Sequence, residues 1–465
     1  MQEVIIIGGG LVGSLLSIFL ARRGYNVRIY DRKPDPRTSR LSSGRSINLT
    51  LCQRGFTALE RAGVHDAVRE ITIPAYGRRI HSEDGEVTFQ PYGNRGEALY
   101  SITRNELNRV LLDIAERQHG VETRFSAKCS ELYAQEPAVV LEDQDTGRRW
   151  TERASWIIGS DGAFSAVRLH LQKTDRFDFS QSYIQQGYKE LTVPPAESAA
   201  WGLDRHALHI WPRGSYMLIG FANFDGSTTL ALHLPFEGEV SFSSLRSEAE
   251  LLALFRRTFP DTLGHIPNLA GDFFGRPVSS MVTIRCRPWS RGRVTLIGDA
   301  AHAVVPSYGQ GANCGFEDCA VLDDCLDRYG GNWERAVAVY ERERKPNADA
   351  IADLSLQHFE EIRDRIGDPQ FLLRKAVERR LELLYPDRCR ALYGRVSFTN
   401  ESYVEAVSKA RAQDLLVDCI LLAGGAALAE HVEDGRADAL LNEHVREAAL
   451  GESAASRLTR VAVGG

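Results

Sequence analysis

Residues 4–7 read Val-Ile-Ile-Ile, an apolar run with no polar alternation. A strand covered on both faces, as in the middle of a parallel sheet, carries that pattern. Apolar positions at helical spacing follow over 15–23 and stop at Gly24, a residue suited to a helix C-terminus. A second short strand is predicted at 27–30, and further apolar strands at 154–159 and 293–297. Helical spacing predicts helices at 53–62, 107–118, 165–171 and 248–258. Thr103 and Glu106 form a capping-box pattern ahead of the second of these. A different rhythm holds over 76–89, where two strands flank an Asp84-Gly85 turn and Pro91-Tyr92-Gly93 closes the hairpin. Strands are likewise predicted at 208–211, 216–223 and 228–235, joined by a Pro-Arg-Gly turn and an Asp225-Gly226 turn. Met217, Ile219 and Phe221 share one face of the middle strand, which suits either the floor of an apolar pocket or a face packed on a helix. Beyond Glu317 the chain reads as helix through 326, then at 333–344, 348–365 and 370–384. The apolar run 415–429 is interrupted by Asp418 and is shorter than a membrane span needs, so a buried helix is expected there.

Composition narrows the function classes. A chain of 465 residues, 43% hydrophobic and 25% charged, has the make-up of a soluble protein with more than one core. The net charge of −6, with no basic stripe or tail, argues against nucleic acid as a partner. Eight cysteines form no C-x-x-C pair and no Cys/His cluster of metal spacing, so free thiols, no metal and a cytoplasmic setting are expected. No signal-peptide pattern precedes the first strand, and no membrane span is expected.

The candidate chemistry begins between the first two strands. Gly8-Gly9-Gly10-Leu11-Val12-Gly13 contains G-x-G-x-x-G, and Asp31 closes the second strand. In a strand–turn–helix–strand unit, Gly8 makes the turn, Gly10 lets backbone approach a pyrophosphate, and Gly13 lets helix pack on strand. Leu11 and Val12, within the turn, are counted among the cofactor contacts, and Asp31 is placed to accept ribose hydroxyls with Arg32 beside it. An acid there suits an adenosine ribose without a 2′-phosphate, hence FAD or NAD. Arg104, at a helix start, suits a phosphate contact or a plain surface position. The stretch 293–319 runs from an apolar strand into Gly298-Asp299, then through Pro306, Gly309, Gln310 and Gly311 to a helix near Asn313. Asp299 at a strand end, with backbone donors at Gly311, Ala312 and Asn313, suits the ribityl chain and one edge of a flavin ring. Asp161, ending the strand at 154–159, repeats that logic.

The GGGLVG turn, the IIGSDGAFSAVR segment and the VTLIGDAAHAVVPSYGQGANCGFEDC segment resemble the three signature regions of single-component flavoprotein aromatic hydroxylases. Together with DRKPDPR, GRSINLTL, RRIHSEDG, PYG, SITRNELNRVLL, LHIWPRGSYMLIGFANFDGSTTLALHLPF and YGQGANCGFEDC, they resemble the kynurenine 3-monooxygenase branch of that family over most of residues 1–400. The resemblance implies FAD as cofactor, NADPH as co-substrate without a domain of its own, and ring hydroxylation of an aryl amine by O₂ activated at the flavin. It implies L-kynurenine as substrate, within tryptophan degradation and NAD biosynthesis. Arg78 matches the arginine that holds the substrate carboxylate, and Tyr92 and Tyr393 match its tyrosine partners. Pro306, Ser307 and Tyr308 match the loop between flavin and substrate, and Phe221 is assigned to the substrate pocket. The family's Asn-Tyr-Ile-Glu-Met-Arg helix appears as His358-Phe359-Glu360-Glu361-Ile362-Arg363, which keeps Glu361 and replaces the asparagine and methionine. That departure leaves an alternative, a related hydroxylase of an anthranilate- or salicylate-like acid. A flavin-binding protein without enzymatic activity is a third reading. No catalytic triad is expected.

The fold implied is mixed α/β (α+β). A discontinuous Rossmann-like FAD-binding domain comprises 1–75, 98–175 and 276–330. A substrate-binding sheet domain comprises 76–97 and 176–275, a helical region at 331–430 caps the pocket, and 431–465 is a polar tail, partly disordered. Monomer and dimer are equally open.

Overall fold

The computed structural model describes residues 2–38, 48–93, 96–362, 368–432 and 434–449. The 44–47 part of the GRSINLTL motif, Arg363 and the end of the tail lie outside the described residues. The strand Glu3–Ile7 is the centre of a six-stranded sheet. It pairs in parallel with Trp156–Gly159 on one side and Asn26–Tyr30 on the other. Val294–Leu296 adds in parallel beyond Trp156–Gly159, and Val121–Arg124 beyond Asn26–Tyr30. Val4, Ile5, Ile6, Ile157, Ile158, Val294 and Leu296 are buried, as runs without polar alternation require. Because Glu3–Ile7, Trp156–Gly159 and Val294–Leu296 are adjacent and parallel, the turns after them leave from one edge of the sheet. Those turns are 8–13, 160–162 and 298–299.

The second sheet has seven strands, in the order Ser279–Arg287, Asp178–Val193, Thr228–Pro235, Tyr216–Ala222, Ala207–Arg213, Gly77–His81 and Val87–Pro91. One face buries Leu191, Trp211, Leu218, Leu230, Leu232 and Leu234 against Leu251, Leu254 and Phe255 of the Glu248–Thr258 helix. From the opposite face Met217 and Ile219 pack with Val305, just ahead of the turn Pro306–Tyr308, and with Leu356 and Phe359 of a C-terminal helix. That face is thus packed against a loop and a helix. The 16-residue strand Asp178–Val193 has no counterpart among the sequence expectations. Its first half is exposed, so half-buried alternation begins only near Gln186.

The C-terminal region is helical. Trp333–Glu360 is one helix of 28 residues, whereas the sequence predicted a break at Pro346. Proline removes one helical N–H and crowds the preceding turn. Next to it Asn347 Nδ2 donates to the Glu343 carbonyl at 2.9 Å, and Lys345 pairs with Asp349 at 2.5 Å. Pro369–Leu384, Leu392–Phe398 and Tyr403–His431 follow. Part of the segment read as a polar tail folds. Asp438–Ala449 is a helix, and its Leu441 and Val445 pack with Val417, Ile420 and Leu381. Among the described residues no helix is long and apolar enough to cross a membrane.

Candidate active site

At the sheet edge the glycines answer to space. Gly8 has φ +111°, and a Cβ there would lie 2.6 Å from the Ser160 carbonyl oxygen. At Gly13 a Cβ would lie 2.0 Å from the Gly8 oxygen, so helix and turn touch backbone to backbone. Gly10 differs, for a Cβ there would meet nothing within 4 Å. The Leu11–Arg22 helix starts at that open face with its first N–H groups, Leu11, Val12 and Gly13, unpaired among the described residues. Asp31 is oriented by backbone, its oxygens accepting from Gly9 N–H and Lys33 N–H at 2.8 Å each. Each oxygen keeps a further lone pair for a hydroxyl. Arg32 and Arg104 are exposed. One turn beyond Arg104, Asn108 donates to the Gly9 carbonyl at 3.1 Å, which brings that helix start beside the glycine turn.

The third turn closes on the first. Gly298 has φ +61°, and a Cβ there would lie 3.0 Å from Val12. Asp299 is half-buried and has no side-chain hydrogen bond or ion pair among the described residues. The Gly311–Arg328 helix presents Gly311, Ala312 and Asn313 N–H groups that are likewise unpaired. The Asn313 side chain is occupied: Oδ1 accepts from Cys52 N–H at 3.0 Å, and Nδ2 donates to the Thr50 and Gly309 carbonyls at 2.8 Å. Of its polar groups the backbone N–H remains unpaired among the described residues.

Asp161 is engaged by its own segment. Its carboxylate accepts from Ser165 Oγ at 2.5 Å, Ala166 N–H at 2.6 Å and Val167 N–H at 3.2 Å, capping the Ala166–Leu171 helix. The carboxylate therefore caps a helix, and Oδ1, with one donor, keeps a further lone pair. Arg168, which no sequence pattern marks, donates to the Ala300 carbonyl at 2.8 Å and the Ala163 carbonyl at 2.6 Å. It ties the second turn to the third.

Under the seven-stranded sheet and the C-terminal helices lies an aromatic box. Arg78 comes from Gly77–His81, Tyr92 from just past Val87–Pro91, and Tyr308 from the turn Pro306–Tyr308. His358 comes from Trp333–Glu360, and Tyr393 and Phe398 from Leu392–Phe398. The Arg78 guanidinium carbon stands 4.7 Å from the Tyr393 ring centre and 5.3 Å from that of Tyr92. Tyr393 stacks on Tyr308 at 5.2 Å and on Tyr92 at 5.7 Å, and His358 lies 4.8 Å from Tyr308. Burial raises the Tyr92 and Tyr308 phenols well above their ordinary range, so both remain protonated donors. Burial lowers the His358 imidazole, and its nearest carboxylate, Glu361, stands 3.8 Å away. Among the described residues, three buried polar atoms in the box lack a hydrogen-bond partner of good geometry: Arg78 Nε, Tyr92 Oη and His358 Nε2. Each orphan costs roughly 1–3 kcal/mol unless a ligand meets it.

Two assigned pocket residues behave otherwise. Ser307 Oγ donates to the Ser355 carbonyl at 2.5 Å, so its proton anchors the loop to a helix. Phe221 is half-buried on its strand and makes no ring contact with the box among the described residues. Pro306 is exposed at the start of its turn, and Ile362 packs with Phe359 and Val305. The sequence reading missed Phe398, 6.1 Å from the Tyr92 ring and 6.4 Å from that of Tyr393. It also missed His233, buried beside Tyr188 at 5.5 Å with Nδ1 unpartnered and its pKa pushed down by burial to about 4. The signal was a lone histidine within the otherwise apolar Leu-Ala-Leu-His-Leu-Pro run.

Residues 1–355 match the family model of the FAD binding domain. The chain is 45% identical to a kynurenine 3-monooxygenase of Christiangramia forsetii over 422 residues, covering 90% of this chain and 94% of that protein. The chain belongs to the kynurenine 3-monooxygenase family. A kynurenine 3-monooxygenase of Myxococcus xanthus is 43% identical over 446 residues, 96% of each chain. Among solved structures, a tetrameric form of 2-methyl-3-hydroxypyridine-5-carboxylic acid oxygenase matches with a TM-score of 0.64 at 22% identity, over 80% of this chain and 95% of that one. That likeness shows a shared fold. As a member of the kynurenine 3-monooxygenase family the chain binds FAD, and the open glycine face and free helix-start donors fit that cofactor.

Proposed function

We propose that this protein hydroxylates L-kynurenine at ring carbon 3, using FAD, NADPH and O₂. One observation carries the reading. A buried arginine stands between two tyrosines, with orphaned donors around it, against the loop that borders the cofactor cradle. Arg78 holds the substrate's α-carboxylate, for a guanidinium fork matches a planar carboxylate. Tyr92 and His358 supply further hydrogen bonds there. Tyr308, Tyr393 and Phe398 enclose the substrate's apolar body and keep water out. Asp31 receives the adenosine ribose, the N–H groups of 11–13 the pyrophosphate, and Arg32 and Arg104 add positive charge nearby. Gly298 allows the close approach that lets Asp299 reach the ribityl chain, and the N–H groups of Gly311, Ala312 and Asn313 meet the flavin ring edge. Bound FAD supplies the redox chemistry, taking electrons from NADPH and activating O₂. The overall reaction consumes kynurenine, NADPH, a proton and O₂, and yields 3-hydroxykynurenine, NADP⁺ and water. No side chain is assigned as an acid or base, so the protein's contribution is position and exclusion of water. Eight buried, unpaired thiols suit the reducing cytoplasm.

The anthranilate- or salicylate-like alternative is not favoured, because the curated relatives cited are kynurenine 3-monooxygenases. The test is direct. The purified protein is expected to be yellow and to oxidise NADPH faster when L-kynurenine is added. A colourless protein, or a yellow one indifferent to kynurenine, contradicts the proposal.

A further inference from the structure

Behind the cofactor loop runs a chain of buried charges that the reaction as described does not use. It starts at Gly298, whose N–H donates to Asp318 Oδ2 at 3.1 Å. His302 Nε2 meets the same oxygen at 2.5 Å, and Arg344 Nε donates to Asp318 Oδ1 at 2.6 Å. The Arg344 Nη1 group donates to Glu317 Oε2 at 2.5 Å, and from the other side Arg54 Nη1 donates to Glu317 Oε1 at 2.6 Å. The Arg54 Nη2 group ends the chain on main chain, donating to the Glu401 carbonyl at 2.8 Å and the Val396 carbonyl at 3.4 Å. Its guanidinium also lies 3.8 Å from the centre of the Tyr403 ring, and the Tyr403 hydroxyl donates to Gln310 Oε1 at 3.0 Å. Gln310 precedes the Gly311–Arg328 helix start proposed to meet the flavin. Two routes therefore join the cofactor loop to 396–403, the end of the helix that brings Tyr393 and Phe398 to the box and the residues after it.

The side chains of Arg54, Arg344 and Asp318 are 1%, 4% and 0% exposed. Burying such ions sacrifices hydration, and well-packed apolar residues often give equal or greater stability. What an ion chain with fixed donor directions adds is position. A metal centre at His302, Cys314 and Asp318, whose ligand atoms lie within 4.8 Å of one another, does not explain the arrangement. Arg344 already supplies the cation, donating to Asp318 and to Cys314 Sγ at 3.2 Å.

We propose that Arg54 is a positioning residue that holds the Tyr393–Phe398 wall over the cofactor loop, so that substrate capture and productive use of NADPH depend on the same contact. This rests on the kynurenine hydroxylase reading. A displaced wall admits water and leaves the substrate ring out of place. Electrons from NADPH then pass to O₂ with two protons, giving H₂O₂ and NADP⁺ in place of hydroxylated product and water.

The test compares the parent holoenzyme with Arg54→Met, Arg54→Lys and Tyr403→Phe. In Arg54→Met we expect FAD to be retained, KM for L-kynurenine to rise about ten-fold, and product formed per NADPH to drop at least two-fold with matching H₂O₂. Arg54→Lys keeps the charge but not both contacts and falls between. The Tyr403→Phe variant removes one hydroxyl and shifts both readouts in the same direction by less. Amide hydrogen exchange over 392–403, measured without substrate, is expected to quicken in Arg54→Met. A purely structural role predicts a lower melting temperature with KM and product per NADPH unchanged, and that result overturns the proposal. If Arg54→Met does not fold, Tyr403→Phe decides: unchanged KM and unchanged product per NADPH overturn it. A parent enzyme indifferent to kynurenine fails the functional reading instead, and exchange over 392–403 still separates the two.

Discussion

Arg78 is the residue on which the substrate reading turns. Its Nε is buried without a partner while aromatic rings flank the guanidinium, so the charge is poised for an acid from outside the chain. Hydrogen bonds to charged groups contribute about 1.5–3 kcal/mol. Arg78→Ala is therefore expected to raise KM for kynurenine by roughly ten- to a hundred-fold with the yellow cofactor retained. Steady-state kinetics check this, and an unchanged KM removes the clamp. Histidines set the pH response. Burial lowers His81 and His233 to about 4, and burial also lowers His209, whose Nδ1 lies 2.9 Å from His81 Nε2. A depressed folded-state pKa means that the unfolded chain binds more protons below the ordinary value of 6.5. Stability is thus full above that value and lost as pH falls from it toward 4, by up to about 3 kcal/mol for His233. His302 has the opposite sign: burial opposes its charge, Asp318 overrides that, and its contribution is lost only as pH rises through the raised value. Melting temperatures measured from pH 7.5 to 4.5 are expected to fall most below pH 6. Replacing His233 with Phe should flatten that fall.

Elements whose pattern is pure were legible in the sequence, and those that mix patterns were not. The strand at 4–7, the glycine turn and the acid closing the next strand could be placed because every position there serves one demand. A prediction belongs to this scale. Gly13→Ala puts a methyl 2.0 Å from the Gly8 oxygen, so the turn must open and the variant is expected to lose FAD. Absorbance after gel filtration checks this, and a fully yellow Gly13→Ala protein contradicts the role given to the turn. The strand Asp178–Val193 escaped notice because half of it faces solvent with polar residues. Pro346 misled in the other direction, since a helix secured by packing of Ala348, Ile351 and Ala352 tolerates one missing N–H. The catalogue of site residues divides similarly. Asp161 and Ser307 have the right residue type in the right segment, yet short local hydrogen bonds engage both side chains. No spacing rule reveals that an acid at a strand end also caps the helix that follows.

At the scale of the whole molecule, three parallel strands send their turns to one edge, and a seven-stranded sheet packs on C-terminal helices beside it. Residues far apart in sequence, such as Arg78, Tyr308 and Tyr393, become neighbours only through that assembly. Periodicity is local and is blind to such meetings; the resemblance to a family supplied them, and Phe398 and Arg54 went unnoticed because nothing in their own segments marks them. The central claim concerns what this pocket does to its substrate, and one measurement meets it most directly. The holoenzyme is incubated with L-kynurenine and NADPH under oxygen-18 gas, and the product is analysed by mass spectrometry and chromatography. The structure and the family together predict 3-hydroxykynurenine carrying one oxygen-18 atom on the ring. Recovery of unmodified kynurenine, or of a product whose new oxygen comes from water, would contradict that function.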